Sequence, residues 1–313
     1  MARKVIVDCD PGIDDAVALC MALFDSRLEV LGVTAVEGNV SADQASLNVQ
    51  TVVDQLDPPR YPRLGTATPL EAAPAIDMRH LHGENGLGNA RFPVSQLQHQ
   101  HPSEKILCDE VRSAPDQVTL LCLGPLSNVD RAFRRDPTLV QVIDQVIVSG
   151  GSVECRGDVT PLAEFNMFYD PIAARAVFRS PTTKILIPLE IAQQVSLNLD
   201  LIEQLPGEHT RAGQLLRRVI PFAFRAYRQQ LGRENICLQS VVALTAALNP
   251  ELFSIQELEG DVEVAGELTR GVTVFDRRGL NPPPSTIGVA VEVDVAAVTD
   301  CILRGLAETG RAT

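Results

Sequence analysis

Four carboxylates fall within eight residues at Asp8-Cys9-Asp10-Pro11-Gly12-Ile13-Asp14-Asp15. The apolar run Val5-Ile6-Val7 precedes them and Ala16 to Leu23 follows, so the pattern predicts a strand, a turn carrying the acids, and a buried helix. Asp8 and Asp10, two apart, share a face if the strand runs that far, and Pro11-Gly12 bends the chain back over them. Asp14 and Asp15 take the first helical turn, where unpaired N–H groups and the helix dipole favour a carboxylate by roughly 0.3–1 kcal/mol. Capping of that kind accounts for Asp14 and Asp15 alone. Asp8 and Asp10 remain as like charges beside them, each raising the others' pKa, and no Lys or Arg lies inside the turn. A hard divalent cation with oxygen ligands, Ca²⁺ or Mg²⁺, is the simplest remedy.

The elements that must hold these acids are legible nearby. Leu28 to Val36 is a second apolar run rich in β-branched residues, so the first 36 residues read as βαβ with parallel strands and a right-handed crossover. Ligands of such sheets bind outside the carboxyl ends of strands, where Glu37-Gly38-Asn39 also falls. Ser41 with Gln44 predicts a capping box for a helix to about Leu56, stopped by Pro58-Pro59 and Pro62. Thr66 to His101 shows no clear period and reads as mostly loop. Inside it, His82-Gly83-Glu84-Asn85-Gly86-Leu87-Gly88 has glycines suited to a phosphate cradle but lacks a Gly-Lys-Ser/Thr ending. His99 and His101 read as solvated loop residues.

Further on, Ser103 to Ser113 is a helix and Val118 to Leu123 a strand that ends in the turn Gly124-Pro125-Leu126-Ser127-Asn128. Val146 to Val148 and Lys184 to Pro188 are strands, Ile172 to Phe178 a helix started by Asp170-Pro171, and Arg211 to Leu231 a longer helix. Glu164 and Asn166 point the same way in an extended segment. Asp294 to Glu308 is an amphipathic closing helix. There are no internal repeats.

Composition narrows the function. A chain of 313 residues, 45% hydrophobic, can bury a large core, and one α/β domain over 1–313 is the reading favoured here. A net charge of −13 repels a nucleic-acid backbone or an anionic lipid surface, which leaves a small neutral ligand as partner. Seven cysteines without a Cys-x-x-Cys spacing suggest reduced, buried thiols and a cytoplasmic protein. Nowhere do about 18 apolar residues run together, and the N-terminus enters a strand with no apolar leader, so no membrane association is expected.

Asp8 to Asp15 resembles the N-terminal Asp-x-Asp-Pro-Gly-x-Asp-Asp signature of the nucleoside hydrolases, the inosine-uridine-preferring N-ribohydrolases. The resemblance extends to His82-Gly83 through Leu87, to the Gly124-Pro125-Leu126-Ser127-Asn128 turn, to Thr160-Pro161-Leu162-Ala163-Glu164-Phe165-Asn166 with Asp170-Pro171, and to the hairpin Gly266 to Asp276, so it spans roughly Val5 to Glu308. It implies a single-domain α/β fold, an open, mostly parallel, Rossmann-like sheet flanked by helices, and Ca²⁺-dependent cleavage of the N-glycosidic bond of a nucleoside or related riboside. It also implies a homo-oligomer, dimer or tetramer. The implied metal ligands are Asp10, Asp15, the Leu123 carbonyl and Gln239. Asp10 acts as general base, and Asn166 is the second catalytic residue. Asp14, Asn39, His82, Asp158, Glu164 and Asn166 line the substrate site, with Tyr227 or Arg228 closing over the base.

The resemblance breaks at two places. Asp158 stands where the family has asparagine, so it accepts hydrogen bonds from a hydroxyl but cannot donate one as an amide does. Leu238-Gln239 stands where the family has His-Asp, which removes the proton donor for the departing base and one negative charge. Two rival readings follow: a member of the same fold that binds a ribosyl compound with weak or no turnover, and a phosphoryl-transfer enzyme of the Asp-x-Asp type. The latter needs a late lysine and Ser/Thr at strand ends, and no convincing set is present.

Overall fold

The computed structural model describes residues 2–76, 78–95, 101–278 and 286–312; His99 and Pro282-Pro283-Pro284 lie outside them. The strands are β1 (Arg3–Cys9), β2 (Leu28–Ala35), β3 (Arg63–Thr66), β4 (His101–Pro102), β5 (Val118–Cys122), β6 (Gln145–Ser149), β7 (Lys184–Ile187), β8 (Phe253–Val262), β9 (Thr273–Asp276) and β10 (Ile287–Val293). They form one sheet in the order β4-β3-β2-β1-β5-β6-β7-β10-β8-β9. Pairing is parallel from β4 to β10 and antiparallel for β10–β8 and β8–β9. This is the open, mostly parallel α/β sheet that the sequence predicts. In β8, solvent-facing residues such as Ser254 to Glu257 break the apolar pattern that marks a strand in sequence.

The helices are α1 (Ile13–Phe24), α2 (Ala42–Leu56), α3 (Arg79–His82), α4 (Ser103–Ser113), α5 (Ser127–Arg135), α6 (Phe165–Tyr169), α7 (Pro171–Phe178), α8 (Leu189–Ala192), α9 (Leu201–Gln204), α10 (Arg211–Ala226), α11 (Gln239–Leu248) and α12 (Val295–Ala312). Beyond its first turn α1 is apolar all round, with Ala16 to Ala22 buried, because it lies between the sheet and α10, α11 and α12. Ser41 caps α2 by position only: its side chain makes no capping bond, and Gln44 donates instead to Asn48 Oδ1 at 2.8 Å, so the predicted capping box does not form. Among its described residues, the stretch read as loop from Thr66 to His101 holds one helical turn, α3.

Strand order reverses at β1. Its C-terminal end therefore opens between β2 on one side and β5 on the other, the crevice where such sheets bind ligands. Val5, Val7 and Cys9 face the core under α1, while Ile6 faces the opposite layer with Leu107, Val111 and Val129. Asp8 shares the face of Ile6 and is 1% exposed. Its Oδ1 accepts from Thr34 Oγ1 at 2.5 Å and from Asn128 Nδ2 at 2.8 Å. Asn128 Nδ2 also donates to the Ala35 carbonyl at 2.8 Å, which ties α5 to the ends of β1 and β2. The strand stops at Cys9, so Asp8 and Asp10 do not share a face. Asp8 is a buried tie and Asp10 belongs to the turn above it.

Burial pushes the Asp8 carboxyl up from 3.8 to about 7, against the two hydrogen bonds that pull it down. A carboxyl raised in the folded state takes up a proton on folding, so its contribution to stability is lost as pH rises from about 4 to about 7. Asn128→Ala removes one of the bonds that favour the charged form and leaves the Ala35 carbonyl short of a donor. We expect denaturant unfolding to show a loss of about 2–3 kcal/mol at pH 8 and a smaller loss at pH 5. Equal losses at both pH values would contradict this role for Asn128.

Candidate active site

The acids of the first turn separate by backbone direction once β1 ends. Asp10 is 2% exposed, and its Oδ2 accepts the Asn39 N–H at 2.7 Å while Asn39 Nδ2 donates to the Asp10 carbonyl at 3.2 Å. Two glycines make its slot: a Cβ on Gly38 would lie 2.1 Å from Asp10 Oδ2, and one on Gly124 would lie 2.7 Å from Oδ1. Asp15, 1% exposed, accepts from the Gly12 N–H at 3.1 Å and from Ser240 Oγ at 2.6 Å. Asp14 turns outward, with its Oδ2 3.0 Å from Ser240 Oγ and its Oδ1 3.9 Å from His82 Nδ1. Ser240, the second residue of α11, thus joins the N-termini of α11 and α1. Its type gave no sign of this in sequence, where it is only the neighbour of Gln239.

Burial raises Asp10 well above the usual carboxylate range, and the Asp15 charge adds to it. Asp15 rises to about 7, first by burial and then by the Asp14 charge. No basic side chain is among the groups acting on either acid.

The other side chains brace the strand ends. Asn166, 7% exposed, donates both amide protons, to the Leu123 carbonyl at 2.9 Å and the Ser149 carbonyl at 3.0 Å, which leaves its Oδ1 as the free group. Glu164 is the N-cap of α6, with Oε1 accepting the Asn166 N–H at 3.0 Å and Oε2 those of Gly151 and Met167 at 2.8 and 3.1 Å. Burial, helped by the Asp158 charge, lifts its carboxyl to about 8 despite these donors. His82 Nδ1 accepts the Ile13 N–H at 3.1 Å, so the ring proton sits on Nε2, and burial lowers its pKa and keeps it neutral.

The cavity has two parts. A narrow inner chamber of about 50 Å³ is lined by Asp10, Asp14, Asp15, Asn39, His82, Leu123, Asp158, Glu164, Asn166, Gln239 and Ser240, among others. It meets an outer chamber of about 280 Å³ through shared walls at Asp14, Met78, His82, Asp158 and Gln239. Ile13, Leu81, Ala223, Tyr227, Leu231, Cys237 and Leu238 make the outer chamber largely apolar. Every residue that the resemblance assigns to the site lines one chamber or the other except Arg228, which is exposed; Asp8 lies buried beneath them. The Tyr227 hydroxyl donates to the Cys237 carbonyl at 3.0 Å. No lysine lines either chamber among the described residues, so the set that the phosphoryl-transfer reading needs is not assembled there. A separate cavity of about 300 Å³ lies at the far ends of α1 and α11, but its arginines are already paired, Arg27 with Asp25 and Arg304 with Asp300.

Asp10, Asp15, the Leu123 carbonyl and the Gln239 amide oxygen are the groups that could hold a cation. Among the described residues no three acidic, imidazole or thiol side chains converge as a shell, since Asp14 turns toward Ser240 and His82. The donors are nevertheless all hard oxygens, and two buried carboxyls without a counter-charge fit a divalent ion of the Ca²⁺ class.

An acid-floored pocket at the strand ends of a doubly covered parallel sheet, opening into an apolar chamber, defines an α/β enzyme for a small polar–apolar ligand. The chain belongs to the inosine-uridine preferring nucleoside hydrolase family, whose model matches residues 5–300, and it is an enzyme that acts on N-glycosyl bonds. It is 35% identical over 292 residues to the non-specific ribonucleoside hydrolase RihC of Salmonella enteritidis, covering 93% of each chain. Among solved structures, the purine-preferring ribonucleoside hydrolase from Gardnerella vaginalis superposes with a TM-score of 0.92 at 26% identity, covering 99% of this chain and 100% of that one. The plant nucleoside hydrolase PpNRh1 superposes at 0.87 and 28% identity, with 98% and 99% covered.

The slot around Asp10 gives a direct test. Gly38→Ala drives a methyl group into the Asp10 carboxyl, and a misplacement near 1 Å commonly costs about 10²-fold in rate. Ribonucleoside hydrolysis should fall by about that factor while unfolding stays cooperative. A wild-type rate would show that the slot does not matter.

Proposed function

We propose that the chain hydrolyses the N-glycosidic bond of ribonucleosides with Ca²⁺ at Asp10, Asp15, the Leu123 carbonyl and Gln239, within a reducing compartment such as the cytoplasm. The observation that carries this reading is the pair of buried carboxyls, Asp10 and Asp15, facing each other with no basic group acting on them. All seven cysteines are free thiols, in keeping with such a compartment.

When bound, the ion supplies positive charge that makes a water easier to deprotonate. The chain's own residues do the rest. Asp10, fixed by the Asn39 N–H, takes the proton of the attacking water. Asp14, Asn39, Glu164 and Asn166 present acceptor oxygens to the sugar hydroxyls, and these stabilise the positive charge that develops on the ring as the bond to the base breaks. The apolar outer chamber takes the base and keeps water from it. Leu238, 3% exposed and lining that chamber, offers no proton to the departing base.

General acid assistance is commonly worth about 10²–10⁴ in rate, so activity should depend steeply on the leaving group. The test measures release of base and ribose from inosine and from p-nitrophenyl riboside, whose leaving group needs no proton. The wild type should strongly favour the p-nitrophenyl riboside, and Leu238→His combined with Gln239→Asp should narrow the gap. Equal wild-type rates, or a gap that the double replacement leaves unchanged, would refute this role for Leu238. Release of base from neither compound would refute the hydrolase reading itself.

A further inference from the structure

His80 and His82 of α3 line the outer chamber, but the wall where the resemblance expects a proton donor has none. Leu238 is a hydrocarbon, the Tyr227 hydroxyl is committed to the Cys237 carbonyl, and Arg228 stands outside. One guanidinium does line this chamber among the described residues, that of Arg233, close to Tyr227, Cys237 and Leu238. Its place follows from the backbone. α10 ends at Ala226, and the chain continues through a π-helical turn, Tyr227–Leu231. Gly232 then takes φ +65°, and the Arg233 N–H donates to the Tyr227 carbonyl at 3.2 Å to close the reversal. A wide turn ending in a left-handed residue favours glycine and sends the next side chain back over the helix end. Nothing lies within 4 Å of a Cβ built on Gly232, so this glycine serves chain direction and not packing. The Arg233 charge reaches into the chamber wall, where it opposes the burial that raises the Tyr227 phenol and the Cys237 thiol. Arg233 has no ion-pair partner among the described residues.

We propose that the Arg233 guanidinium stabilises the base as it departs as an anion, in place of the proton transfer that Leu238 cannot provide. This rests on the hydrolase reading above. In the step, the C1′–N bond breaks with its electron pair leaving on the base nitrogen, and a C1′–O bond forms from water, whose proton goes to Asp10. The base anion, held against Arg233, then takes a proton from solvent. Arg233 is exposed at the rim, where water screens its charge; a base in the chamber displaces that water, and the interaction strengthens as negative charge develops. A forked donor suits bases that delocalise charge onto a carbonyl oxygen beside a ring nitrogen. Arg233 therefore favours oxopurine and oxopyrimidine nucleosides over aminopurine ones.

The test compares Arg233→Gln and Arg233→Lys with the wild type, all Ca²⁺-replete, on inosine, adenosine and p-nitrophenyl riboside. Losing one preorganised donor to a developing anion costs about 10²–10³ in rate, so Arg233→Gln should lower kcat/KM for inosine by about 10²-fold. The loss on the p-nitrophenyl riboside should be smaller by roughly tenfold or more, with adenosine in between, and Arg233→Lys should recover part of the inosine rate. The side chain is exposed, so melting curves should coincide. Equal losses on inosine and the p-nitrophenyl riboside, or no loss on inosine, would overturn the proposal while leaving the hydrolase reading intact. A wild type that cleaves none of the three would overturn both.

Discussion

The structure depends on two carboxyls that fold into the protein without a positive partner. Asp10 and Asp15 lie almost fully buried at the end of β1; burial raises both carboxyls, the Asp15 charge adds to the rise at Asp10, and the Asp14 charge adds to the rise at Asp15. Isolated buried charge is strongly unfavourable, so such groups either keep protons or gain a cation. The second outcome is the one proposed here. Gly38 and Gly124 leave room for the Asp10 carboxyl alone, Ser240 holds Asp15, and Asn166 holds the Leu123 carbonyl in place. Under this layer Asp8 and Asn128 tie β1, β2 and α5 together, so the floor of the site is rigid because the strand ends beneath it cannot separate.

The division into chambers gives each half its own chemistry. The inner one offers acceptor oxygens, which suit hydroxyl groups and developing positive charge. The outer one is largely apolar away from the shared Asp14 and Asp158 wall and carries a guanidinium at its rim, which suits a flat base. In a chain with a net charge of −13, that arginine stands out against its surroundings. In the proposed step, positive charge develops on the sugar in the inner chamber and negative charge on the base beside Arg233 in the outer one.

What the sequence disclosed was local. The acids of the first turn, the βαβ pattern and the strand-end loops are read from neighbours in the chain, and the sheet and the family follow from them. What it hid was long-range. The Asp8–Asn128 bond joins residues 120 positions apart, and the Ser240–Asp15 bond joins residues 225 apart. Spacing puts Glu164 and Asn166 on one face of an extended segment, but Glu164 is the cap of α6 and Asn166 lies in its first turn, since the Glu164 carboxyl gathers the N–H groups that start the helix. The resemblance puts Tyr227 or Arg228 over the base, whereas the structure leaves Arg228 exposed and brings Arg233, beyond Gly232, to the outer chamber. A π turn closed by Gly232 cannot be told from a regular helix by hydrophobic period alone. The Ser41–Gln44 box matched a motif whose side chains took other partners.

The claim on which the rest turns is that the buried pair of carboxyls is a cation site, and calorimetric titration of Ca²⁺ into chelator-treated protein tests it most directly. The account predicts one site per chain, weakened by Gln239 but saturable below millimolar Ca²⁺, and lost in Asp10→Asn. No heat of binding at millimolar Ca²⁺, or unchanged binding in Asp10→Asn, would contradict it.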